Sequence, residues 1–133
     1  MSELEHPNAA RVRELVGALQ RGALETVIGS YTEDAVYRVG GNNLVSGNFH
    51  GRQEMTEFFV KLGELTGGPL KIELTDVMAD DHHAVLFWSL FAERQGKSLD
   101  ASGTMAFKIN DEGKFTESWF LSSDQRAYDE FYS

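Results

Sequence analysis

Hydrophobic and polar positions change period along this chain, and the change divides it into two halves. Val12, Leu15, Val16 and Leu19 recur at the i, i+3, i+4, i+7 spacing of one helical face, behind a Pro7 that suits a first helical turn. Gly22 ends that stretch. Leu24, Val27, Ile28 and Tyr31 repeat the spacing, which predicts a second, shorter helix. Ala35 to Val39 reads as a short strand, and the glycine- and asparagine-rich run from Gly40 to Asn48 as a loop. From Arg52 a third helix gathers Met55, Phe58, Phe59, Leu62 and Leu65 on one side, and Gly67-Gly68-Pro69 closes it.

The period then falls to two. Leu70, Ile72 and Leu74 alternate with Lys71, Glu73 and Thr75 in a strand that runs to Ala79, and Asp80-Asp81 turns the chain. From His82 to Ser122 three strands follow, Ala84 to Ala92, Leu99 to Ile109 and Lys114 to Ser122. Gln95-Gly96-Lys97 and Asn110-Asp111-Glu112-Gly113 separate them. The first is apolar at nearly every position, which places it inside a sheet with both faces covered. Asp124 is placed to cap a closing helical turn that carries Tyr128, Phe131 and Tyr132. This order predicts one α+β domain over residues 1–133: a cone-shaped barrel with three N-terminal helices on a curved, mostly antiparallel sheet. Its pocket is expected between the concave face and the third helix.

Charge narrows the partners. Twelve basic against 21 acidic residues give a formal net charge of −9, which repels phosphate backbones and anionic membranes. Neither nucleic acid nor membrane is an expected partner. With no cysteine there is no disulfide, thiolate metal site or cysteine nucleophile. The acidic start Met1-Ser2-Glu3-Leu4-Glu5 has no apolar run behind it, so no secretory signal is read and a cytoplasmic protein is expected. His82 and His83 are adjacent on a strand and point to opposite faces, with no third ligand spaced to join them. No metal and no cofactor are expected.

The run Phe107 to Trp119, together with Tyr31-Thr32-Glu33-Asp34-Ala35 and Gly51-Arg52 at the third helix, resembles the SnoaL-like branch of the nuclear transport factor 2 superfamily, a cystatin-like fold. The resemblance covers nearly the whole chain and extends to the ending Asp124 to Phe131. It implies the fold closely and the chemistry loosely, since the architecture hosts ketosteroid isomerases, polyketide cyclases, dehydratases, epoxide hydrolases and members that only bind. A ketosteroid isomerase's base position falls at Val39, its oxyanion acid at Met105 and its helix-one tyrosine at Leu15, all apolar here. Tyr31 matches one supporting tyrosine, and Phe59 replaces the other. Against an epoxide hydrolase Tyr37 matches, but Val39 and Phe120 stand in for the asparagine and aspartate. The cyclase base is most nearly matched by Asp124, one residue farther along.

With the concave face taken from the resemblance, alternation sends Trp88, Leu90, Met105, Ser118 and Phe120 inward with the helix residues Tyr31 and Phe59, which together are the expected lining of a largely apolar pocket. The residues placed to move protons are Tyr37, His50 before the third helix, and Asp124. Asp76 is a further carboxylate to locate. Two functions follow: a cofactor-independent cyclase, isomerase or dehydratase acting on a small apolar or aromatic molecule, or a non-catalytic binder or dimerising module. An ionisable group in the pocket wall would favour the first. On the opposite sheet face Phe87, Phe91, Trp119 and Leu121 form an apolar patch that predicts a homodimer, unless the segment with Tyr128, Phe131 and Tyr132 covers it.

Overall fold

The structure is a computed structural model that describes residues 5–68 and 71–133. Met1 to Leu4, and the Pro69 and Leu70 read as helix stop and strand start, lie outside the described residues. Three helices come first: α1 (Pro7–Arg21), α2 (Leu24–Gly29) and, after two strands, α3 (Gly51–Thr66). The strands are β1 (Tyr31–Val39), β2 (Gly47–His50), β3 (Lys71–Ala79), β4 (His83–Arg94), β5 (Lys97–Ile109) and β6 (Phe115–Ser122), and α4 (Gln125–Phe131) follows. The result is an α+β fold with helices on one face of a curved six-stranded sheet.

The sheet order is β2-β1-β6-β5-β4-β3, with β1 parallel to β6 and every other pair antiparallel. The sheet does not close, so the expected barrel is an open cone. As its composition requires, β4 is an inner strand, and Leu86, Trp88 and Leu90 on its concave side are buried. Helix α1 packs its predicted face of Val12, Leu15, Val16 and Leu19 into that side.

Two boundaries, one register and one packing direction differ from the sequence reading. Tyr31 is the first residue of β1 instead of a helix-face position, because Phe115 N–H bonds Ser30 O and draws the chain into the sheet there. The loop read to Asn48 ends in β2, whose four residues hydrogen-bond to β1 from Val36 to Val39. In β3 a bulge between Leu74 and Asp76 adds one residue and reverses the alternation, so Ile72 is buried, Asp76 is exposed and Val77 turns partly inward. Helix α4, read as a possible cover for the outer face, instead packs inward. Its Tyr128 ring meets Phe120, whose side chain is buried in the core, with centroids 6.0 Å apart. The β4–β5 turn is a two-residue reversal in which Gln95 (φ 51°) and Gly96 (φ 78°) are both left-handed, the geometry that matches strand twist.

Candidate functional site

All four tyrosines of the chain are buried on the concave side. Tyr31 and Tyr37 come from β1 and stand 6.1 Å apart by ring centroid, and Tyr128 and Tyr132 come from α4 at 5.1 Å. Tyr31 shares a 3.0 Å hydrogen bond with the fully buried Ser118 hydroxyl. Tyr37 packs against Phe58 at 5.2 Å and meets Phe59 edge-on at 5.4 Å, while its hydroxyl makes no hydrogen bond with a described residue. Burial holds each phenol in its neutral form. It pushes Tyr31, Tyr37 and Tyr128 well above the usual tyrosine range, with Tyr31 and Tyr128 close enough to Tyr37 to discourage its ionisation further. Tyr132 is raised to about 12, again by burial. These groups can donate or accept hydrogen bonds, but none is a base near neutral pH. Four donors, Trp88 Nε1, Tyr132 Oη, Arg52 Nε and Arg94 Nε, are buried without a partner among the described residues.

The residues expected to move protons are not brought together. His50 is exposed at the start of α3, where its N–H donates to Glu54 Oε1 at 2.8 Å. Asp124 is exposed and caps α4 by accepting from Ala127 N at 3.1 Å. Asp76 is exposed on β3. Only Tyr37 faces the interior. Three His–Asp contacts at the other end, His6–Asp81, His82–Asp111 and His83–Asp80, occupy the remaining histidines. Among the described residues no set of three or more His, Asp or Glu is gathered to hold a metal ion. No described helix is long and apolar enough to cross a membrane.

The expected pocket lining is divided. Tyr31, Trp88, Leu90, Met105, Ser118 and Phe120 are packed in the core, with Trp88 stacked on Phe120 at 4.6 Å. Phe59 instead faces a cleft of about 250 Å³ between the helices. Its other walls are Ala18 and Leu19 of α1, Leu24 and Val27 of α2 and Leu62 of α3, completed by glycines. No ionisable side chain lines it. This volume is just under the roughly 300 Å³ at which drug-sized sites begin, so a guest here is small. A larger depression between β2 and α3 is lined by Glu54, Glu57 and Lys61 and is open to solvent. Sequence reading missed the α1 and α2 walls and the inward tyrosines of α4. The 128, 131, 132 spacing was the available signal for the latter.

The SnoaL-like domain family model matches residues 12–118. None of the curated protein sequences matches the chain. Among solved structures, Bal32a from a soil-derived mobile gene cassette is similar at 29% identity and TM-score 0.88, covering 95% of this chain and 96% of its own. A cystatin-like protein of unknown function from Xanthomonas campestris is 23% identical with TM-score 0.88, covering 96% and 99%. TerC, co-crystallised with polyporic acid, is 15% identical with TM-score 0.83, covering 96% and 98%. The last two likenesses concern the fold alone.

Proposed function

The chain belongs to the SnoaL-like domain family, and from that premise we propose that it binds a small, uncharged, largely apolar ring compound in the cleft between α1, α2 and α3 without transforming it. The observation that carries this reading is the cleft wall: hydrocarbon and glycine, with His50, Asp76 and Asp124 all at the surface. General acid–base chemistry needs a titrating group within hydrogen-bond reach of the reacting atom, and the phenols nearby are held protonated. Burial of apolar surface is what such walls can supply, at about 25 cal/mol per Å². TerC shares the fold and has been crystallised with a small molecule, which fits a binding role.

A second copy of the chain is proposed as the partner on the outer sheet face. Phe87, Phe91, Leu121 and Met78 are 39%, 42%, 47% and 54% exposed there, an apolar face of the kind that marks an interaction surface.

The ligand proposal is tested by native mass spectrometry of the protein purified from its own host. A retained neutral compound of fixed mass is expected. A bound mixture of substrate and product, or turnover of the compound once isolated, would defeat the non-catalytic reading.

A further inference from the structure

Three glycines complete the wall of the helix cleft: Gly22, Gly63 and Gly68. Gly22 has a reason of its own, since it closes α1 in the left-handed conformation at φ 67°. Gly63 has no such reason. It lies within α3 with an ordinary helical backbone, where glycine is less favourable than alanine. Close packing does not demand it either. Among the described residues a Cβ built there would meet only Gly68 O, at 3.9 Å, which is ordinary contact.

What the missing side chain leaves behind is part of the cleft. Residue 63 follows Phe59 by four positions, so both stand on one helix face and the gap adjoins the ring that already lines the cleft. The volume of about 250 Å³ exceeds the roughly 150 Å³ that holds a single benzene ring in an apolar cavity. Room for a second ring remains.

Resting on the binding reading above, we infer that Gly63 is the specificity-determining residue of the cleft, kept without a side chain so that a fused two-ring apolar compound seats its second ring against the α3 backbone beside Phe59. The helix turn is weaker for it. A methyl at position 63 strengthens the turn and occupies the seat, so stability and binding move in opposite directions. A glycine kept for close helix approach would lose both together.

Naphthalene and toluene, titrated into the full chain by calorimetry, test this alongside thermal melts. The unaltered protein is expected to bind both. Gly63→Ala is expected to raise the melting temperature by roughly 2–4 °C, the gain of replacing glycine by alanine inside a helix. It is expected to weaken naphthalene by about tenfold, as one extra methylene does in an apolar pocket, and to leave toluene nearly unchanged. Gly63→Leu, a good helix former whose side chain fills the cleft from the same position, is expected to keep the fold and exclude naphthalene.

A lower melting temperature in Gly63→Ala, or equal weakening of both probes, overturns the assignment of Gly63 while the binding reading stands. Toluene bound without naphthalene overturns the two-ring class and likewise spares that reading. Full naphthalene affinity in Gly63→Leu would place the guest outside the cleft and overturn both. If the unaltered protein binds neither probe, this inference and the proposed function fall together.

Discussion

At the scale of single residues, close approach and buried hydrogen bonds set the costs. Gly103 on β5 lies opposite Trp88 on β4, and a Cβ there would run into Leu121 O and the indole ring. The glycine is needed for space, since its backbone is not left-handed. Gly103→Ala is expected to lower unfolding free energy by about 1–3 kcal/mol, read by urea denaturation, because an inserted methyl forces off-rotamer packing. The Tyr31–Ser118 pair gives a second prediction. Ser118→Ala leaves the Tyr31 hydroxyl buried and unpartnered, and Tyr31→Phe does the reverse, each at a cost of about 1–3 kcal/mol. The double variant should cost clearly less than the two singles together, since it leaves no orphan; simple additivity would show that the bond is not the source of the cost.

Helix α4 shows what an element contributes and what the chain reveals of it. The carboxylate of Asp129 accepts from Asn42 N, Asn43 Nδ2 and Gln125 Nε2, which ties the helix to the β1–β2 connection. The Asn43 bond is the largest influence on this carboxyl and, helped by the lesser bonds from Gln125 and Asn42, holds it below its ordinary 3.8 against desolvation, which comes second. A carboxylate with a depressed folded value contributes its full stability above 3.8 and loses it as pH falls through the folded value. The melting-temperature gap between the unaltered protein and Asp129→Ala should therefore be constant near neutrality and narrow below that pH. A gap independent of pH would remove the latch. Sequence pattern revealed the aromatic spacing of this helix and its Asp124 cap, but not the face it packs on, which depends on where the sheet ends. The same limit hid β2, where Gly47-Asn48-Phe49-His50 is too short to alternate, and misread Tyr31, whose spacing after Leu24 happens to suit a helix. The core face of β4 and β5 was legible because alternation sorts the residues into two faces and the family resemblance says which face is concave, a choice that β4, apolar on both sides, does not make by itself. Whether that face encloses space was not, since a cavity depends on helix-to-helix distances that no period records.

For the whole molecule the open question is the outer sheet face, and register makes it continuous. Met78, Val85, Ala106, Trp119 and Arg38 lie in one row across five strands, and Asp76, Phe87, Thr104 and Leu121 in the next across four. Lys108 lies over Trp119, and Arg38 and Lys108 both pair with Glu117, so charge within the patch is largely compensated. Two copies meeting here would join apolar rows while each carries a formal charge of −9. Burial then favours association and long-range repulsion opposes it, and the repulsion is what salt screens, over a Debye length of roughly 10 Å at 0.1 M. Raising sodium chloride should therefore tighten the dimer in sedimentation equilibrium, the reverse of an interface held by ion pairs across it. Phe87→Glu, placed in the apolar row, should weaken association by about thirtyfold or more, as loss of a central anchor does. A monomer at every salt concentration, or a Phe87→Glu dimer as tight as the original, would mean that this face is left to solvent or to a different partner.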